Sequence, residues 1–173
     1  KTLKSKYLTQ GPILKKFENK LKNYVDCTYS LGFNSATSAL HSACFSIGLS
    51  KKDTVWTSPI SFVASANCAR YFNAKIDFVD IDLDTFNISV EKLEKKLSKT
   101  KKSKLPKILI VVHLAGNPVD MKSIKKLSNK YKFKIIEDAS HALGSSIGKK
   151  KVGSCHYSDI TVFSFHPVKT ITS

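Results

Sequence analysis

Apolar residues along this chain fall into short blocks separated by polar turns. Leu14, Phe17, Leu21 and Tyr24 recur at helical spacing and predict an amphipathic first helix. Residues 26–33 read as a strand, and Asn34-Ser35 opens a helix over residues 36–47. A short strand over residues 54–57 is stopped by Pro59, and residues 61–71 return to helical spacing. Strands are predicted over 76–79, 108–112, 133–136 and 160–165, with helices over 90–97 and 124–131. The clearest buried strand is Ile108-Leu109-Ile110-Val111-Val112, an unbroken apolar run. This alternation predicts an α/β domain with a mainly parallel sheet. Ligands of such sheets bind at the carboxyl ends of the strands. The chemically interesting residues gather there: 34–37, 58–62, His113, 138–141 and 164–169. No GxGxxG follows the first predicted strand, which disfavours a dinucleotide-binding domain.

Composition changes this picture little. A chain of 173 residues, 42% apolar, is enough for one domain with a substantial core. No apolar run approaches the roughly 20 residues that span a bilayer. The start, Lys1-Thr2-Leu3-Lys4, carries neither an initiator Met nor a signal-peptide apolar stretch, so the expectation is a piece of a longer protein. The net charge of +16 invites a nucleic-acid reading. Among 29 basic residues, however, only Arg70 is an arginine, and the lysines are dispersed. Arginine supplies the bidentate contacts that read bases and phosphates. The expectation is a solvated lysine surface with no specific nucleic-acid partner, whose field helps attract a phosphorylated substrate. Cys27, Cys44, Cys68 and Cys155 form no CxxC pair, which argues against a metal centre or a disulfide framework and suits a reducing cytoplasm. Cys44 and Cys68 sit among apolar residues as core thiols.

Two strand ends carry the candidate chemistry. Phe163-Ser164-Phe165-His166-Pro167-Val168-Lys169 places a single lysine after an apolar run, and Ile135-Ile136-Glu137-Asp138 ends another run in acid. A lysine and a carboxylate so placed suit pyridoxal phosphate: the amine bonds the aldehyde, and the carboxylate holds the pyridinium nitrogen. Lys169 would be the nucleophile and later the proton shuttle. Asp138 reads either as that carboxylate or as a turn cap. His141 reads either as a group reaching the ring or as a satisfied core histidine. Asn34-Ser35-Ala36-Thr37-Ser38 is either a phosphate cradle at a helix start or a plain N-cap. Phe62 either stacks on a planar ring or packs in the core. Ser164 is a candidate phosphate ligand, with His166 lining the pocket.

Together these segments resemble the DegT-type nucleotide-sugar aminotransferases of fold type I, over nearly the whole chain from about Lys6. The resemblance is carried, in order, by Leu8-Thr9-Gln10-Gly11, Asn34-Ser35-Ala36-Thr37-Ser38-Ala39-Leu40, Ser61-Phe62-Val63-Ala64, Val79-Asp80-Ile81, Ala115-Gly116-Asn117-Pro118, Glu137-Asp138-Ala139-Ser140-His141-Ala142-Leu143-Gly144, and the segment ending in Lys169. It implies a three-layer large domain, with residues 1–25 as a lead-in segment and helix and 26–173 as the cofactor-binding domain, incomplete at its C-terminus. It implies that Lys169 bonds pyridoxal 5'-phosphate, Asp138 holds the ring nitrogen with His141 nearby, Phe62 stacks on the ring, and Ala36, Thr37 and Ser164 face the phosphate. Lys6, Tyr7, Leu8, Thr9, Ser35 and Ser164 would lie towards the sugar nucleotide.

The wording is closest to the branch that aminates C4 of a UDP-linked 4-keto-6-deoxy-N-acetylhexosamine in pseudaminic acid biosynthesis, with glutamate as donor. The family further implies a homodimer with a shared active site and a small C-terminal domain that this chain lacks. Two alternatives stay open: an aminotransferase or dehydratase acting on another nucleotide-linked keto sugar, and an inactive truncated domain with nonspecific polyanion binding. On either reading of the parent, the isolated chain is expected to be inactive.

Overall fold

The computed structural model describes residue 4 and residues 6–172. Five helices and seven strands follow in chain order: α1 Pro12–Val25, α2 Ala36–Ser46, β1 Thr54–Thr57, α3 Ala64–Arg70, β2 Lys75–Phe78, α4 Val90–Lys99, β3 Ile108–Val112, α5 Met121–Tyr131, β4 Lys134–Asp138, β5 Ser146–Ile147, β6 Lys150–Lys151 and β7 Ile160–Val162. Local chemistry sets most of their ends. Pro12 starts α1, where its missing N–H costs nothing. Ser35, Ser89 and Asp120 cap α2, α4 and α5 by accepting N–H bonds from Ser38, Lys92 and Ser123.

The main sheet runs in the order β2-β1-β3-β4-β7, and every neighbouring pair is parallel. Its residues sort by strand alternation. Val55, Ile108, Ile110, Ile136 and Val162 point to one face, where they pack with Leu40, Cys44, Cys68 and Ala69 of α2 and α3. Trp56, Leu109, Val111 and Ile135 point to the other, against Leu93 and Leu97 of α4 and Ile124 and Leu127 of α5. Both faces are covered, so β3 is buried along its whole length. β1 passes to α3 on one face and β3 passes to α5 on the other. Their adjacent carboxyl ends therefore form the switch point at which open α/β sheets bind ligands. The lysine-rich helix α4 buries Leu93 and Leu97 and exposes Glu91, Glu94 and Lys95, as expected of a solvated surface. No helix among the described residues is long and apolar enough to cross a membrane.

The structure corrects several sequence expectations. Residues 26–33 form no strand. Tyr29 and Leu31 are 85% and 73% exposed, and no sheet neighbour among the described residues meets this segment, so extended backbone there has no ladder to join. The Asn34 to Ser38 turn therefore follows an irregular segment. Helix α3 begins at Ala64 rather than near Ser61, leaving Phe62 on a loop. β7 ends at Val162, three residues short of expectation, because its partner β4 runs out: Asp138 pairs with Val162 as the last rung. Helix α5 starts at Met121, three residues earlier than its periodicity suggests, because Asp120 caps it there. The small antiparallel β5–β6 ladder, of two residues a side, has no apolar alternation to announce it.

Candidate active site

β4 ends in two adjacent carboxylates on opposite faces of the sheet. Asp138 follows Ile136 towards α2 and α3, and is 4% exposed. Its Oδ2 accepts a 2.6 Å hydrogen bond from Ser65 Oγ on α3. Its Oδ1 accepts from the Ser140 hydroxyl at 2.6 Å and from the Ser140 N–H at 3.2 Å. A carboxylate has about four lone-pair positions, so these three donors leave one on Oδ2 for a further donor. The Asp138 carbonyl meanwhile accepts from the His113 N–H at 3.1 Å, which ties the ends of β3 and β4 together.

Glu137 points to the α4/α5 face, where sequence reasoning assigned it no role. Its Oε2 lies 2.7 Å from His113 Nε2. The His113 Nδ1 accepts from the Val119 N–H at 3.2 Å, so the ring proton is on Nε2 and His113 donates to Glu137. On Oε1, Glu137 accepts from Ser158 and, at 2.9 Å, from Thr161. Burial pushes the Glu137 carboxyl up. The hydrogen bond from His113, with those from the two hydroxyls, outweighs this and holds it below the ordinary glutamate range. A signal for this network did exist in the sequence: a histidine directly after an apolar strand, and a Glu-Asp pair directly after the next.

Above these strand ends opens a cavity of about 1740 Å³. Lys169 reaches it from the segment after β7, with Nζ 2.7 Å from His141 Nε2. A protonated lysine only donates, so His141 accepts at Nε2. The Lys169 N–H bonds the His166 carbonyl at 2.8 Å, which closes a tight turn around Pro167. Asp138, His141, Lys169, Phe62, Ser164, Ala36, Thr37 and Ser35 all line this one cavity. Phe62 is 72% exposed there, so its ring serves no core. Ser35 is the N-cap of α2, which leaves the Ala36 and Thr37 N–H groups at the open helix end. The Ser164 Oγ accepts weakly from the His166 N–H at 3.4 Å. Tyr7 and Leu8 line the same cavity, whereas Lys6 and Thr9 are exposed outside its lining. Ser65 and Ser140, the direct partners of Asp138, were missed, because serines in helix starts and turns carry no distinctive pattern.

The donor set fits pyridoxal phosphate. A buried carboxylate with one free lone pair suits a ring N–H, open helix-end amides suit a phosphate, an exposed aromatic suits a ring face, and an amine stands at the rim.

Comparison with known proteins gives the same direction. The description of the DegT/DnrJ/EryC1/StrS aminotransferase family matches residues 1–173. A UDP-4-amino-4,6-dideoxy-N-acetyl-beta-L-altrosamine transaminase of Campylobacter jejuni is 44% identical over 173 residues, which is 100% of this chain and 44% of that protein. The solved structure of Helicobacter pylori PseC, an aminotransferase involved in the biosynthesis of pseudoaminic acid, superposes with a TM-score of 0.88 at 38% identity, covering 99% of this chain and 44% of that one. The pyridoxal-phosphate form of the Streptococcus pneumoniae sugar aminotransferase Spr1654 gives 0.89 at 30% identity, covering 99% and 46%. This chain thus spans under half the length of the relatives it matches.

Proposed function

We propose, on the premise that this chain belongs to the DegT/DnrJ/EryC1/StrS aminotransferase family, that the intact protein is a pyridoxal-phosphate-dependent aminotransferase acting on a nucleotide-linked keto sugar. The observation that carries the reading is geometric: a buried carboxylate with one free lone pair and a lysine paired to a histidine line the same cavity. The name of the Campylobacter relative supports a finer statement, a UDP-linked 4-keto-6-deoxy-N-acetylhexosamine aminated at C4, for which the proposed donor is glutamate. The working unit is a cytoplasmic homodimer, and residues 26–173 supply its cofactor-binding domain behind the 1–25 lead-in.

When bound, pyridoxal phosphate supplies the electron sink and the carbon that carries the amine between donor and sugar. The chain supplies position and proton transfer. Asp138 would accept from the ring nitrogen and keep it protonated. Ala36, Thr37 and Ser164 would take the phosphate at the start of α2, where the helix dipole favours negative charge. Phe62 would cover one ring face. Lys169 would anchor the cofactor and then carry a proton to and from the reacting carbon, and His141, whose Nε2 lies 2.7 Å from Nζ, would set where the amine rests. Ser35, with Lys6, Tyr7, Leu8 and Thr9 on the N-terminal side, meets the sugar nucleotide, helped by the basic surface.

Reconstitution of the intact protein with pyridoxal phosphate is expected to give a visible absorbance from the lysine-bound cofactor, and Lys169→Ala to abolish both the band and amine transfer. An unchanged spectrum in the variant would refute the assignment. Product analysis separates amination from dehydration: net transfer of nitrogen from glutamate supports the proposal, and loss of a sugar hydroxyl without nitrogen transfer contradicts it.

A further inference from the structure

Asp138 is held by a chain of serine hydroxyls that reaches back to the loop bearing Phe62. Ser61 Oγ lies 2.7 Å from Ser65 Oγ, and Ser65 Oγ lies 2.6 Å from Asp138 Oδ2. Each serine has one proton to give, and the ionised carboxylate only accepts. Ser65 must therefore donate to Asp138, and its remaining interaction with Ser61 runs the other way, from the Ser61 hydroxyl to Ser65 Oγ. Such a chain polarises along its length, so Ser61 strengthens the bond Ser65 makes. Ser65 is 1% exposed and Asp138 4%, and among the described residues no other hydroxyl holds Oδ2. Ser140 saturates Oδ1, so the Ser65 bond fixes the rotation of the carboxylate and selects which lone pair stays free. Ser61 directly precedes Phe62, the aromatic that is 72% exposed in the cavity.

We propose that Ser65 is a positioning residue for the cofactor ring: it aims the free lone pair of Asp138 at the ring nitrogen and, through Ser61, ties that aim to the loop that sets the ring-covering Phe62. The inference rests on the pyridoxal-phosphate reading above and adds a role for a residue outside the cavity lining.

The test uses the intact protein and two ligands that bind without the lysine bond. One is pyridoxamine phosphate. The other is its 1-deaza analogue, in which CH replaces the ring nitrogen and nothing donates to Asp138. Dissociation constants come from calorimetry. Ser65→Ala is expected to weaken pyridoxamine phosphate by about 10-fold or more, the scale of one hydrogen bond to a charged group, and to leave the analogue within about twofold. Ser65→Thr, which keeps the hydroxyl, should restore the preference for the natural ring. Ser61→Ala, a change at a half-buried loop position that tests the chain without emptying the core, should give a smaller loss of the same selective kind. Equal weakening of both ligands by Ser65→Ala would show a merely structural role and overturn the proposal. So would unchanged affinity for both, or the absence of any selective loss in Ser61→Ala. If these results come with lysine-dependent absorbance in the unsubstituted protein, the functional reading survives and only the role of Ser65 fails. If the unsubstituted protein does not bind pyridoxamine phosphate, both fail together.

Discussion

Glu137 offers a test of how the carboxyl end of the sheet is held. Removing its side chain with Glu137→Ala takes the acceptor from three donors: the His113 ring N–H, Ser158 and Thr161. The imidazole is fully buried and its other nitrogen is occupied by the Val119 N–H, so His113 has nowhere to turn. Ser158 and Thr161 lie 3.4 Å apart and can pair weakly with each other, which recovers part of the loss. A buried donor left without its acceptor costs about 1–3 kcal/mol, so stranding the His113 N–H and two partly recovered hydroxyls costs about 3–5 kcal/mol in all. Glu137→Gln keeps the shape. Its amide oxygen faces His113 and its NH₂ faces the two hydroxyl oxygens. Three bonds then lose their charge assistance, at about 1 kcal/mol each, offset by no longer burying a carboxylate, so the net cost is about 1–3 kcal/mol.

Protonation adds a signature. The folded carboxyl is held below the ordinary glutamate value of about 4.3. Its contribution is therefore complete above that pH and is lost as pH falls through the lower folded value. The gap between wild type and Glu137→Gln should be full at pH 7 and should narrow below about pH 4, since only the wild type must take up the proton. Urea unfolding of the intact protein, followed by circular dichroism across this range, measures it. Equal stability of the Ala and Gln variants, or a gap that widens on acidification, would refute the reasoning.

Other predictions are simpler. Ile110→Ala, at a fully buried position in the middle of β3, should destabilise the protein by about 2–5 kcal/mol in the same unfolding assay, because β3 is packed on both faces. Gly116→Ala places a Cβ 2.7 Å from the His141 carbonyl at a φ of +82°, so both the turn and the His141 loop must shift. It should lower stability by about 1–3 kcal/mol and displace the absorbance of the lysine-bound cofactor, since His141 holds Lys169. An unshifted band with normal stability would show that this close approach does not matter.

Legibility in the sequence followed the source of each constraint. β3, α2 and α5 were visible because burial imposes apolar runs or a helical period on them, and their caps are local. The false strand over residues 26–33 had strand-like composition, yet a strand needs a neighbour, and pairing is a property of the whole sheet that no local window contains. β7 ended early for the same reason: its length is set by β4. The candidate residues that line the cavity were legible through spacing relative to strand ends and through a family resemblance. Ser65, Ser140 and Ser158 were not, because their importance lies in contacts with Asp138 and Glu137 across the fold, and their residue type is common in turns and helix starts.

The Glu-Asp pair at the end of β4 shows why register matters here. Adjacent residues of a strand face opposite sides, so one carboxylate must serve the α3 side and the next the α5 side. Asp138 meets Ser65 only because Ile136 and Ile110 already point that way, and Glu137 meets His113 only because Ile135 and Val111 point the other. A slip of one residue would put Glu137 on the cavity side and set Ile136 and Ile135 against the wrong helices. The apolar alternation therefore fixes which acid faces the cavity. The Glu137 network then holds β3, β4 and the start of β7 together on the far face, through His113 and Thr161, so that Asp138 stands on a braced edge. The packing of the sheet and the aim of the carboxylate are consequences of the same register.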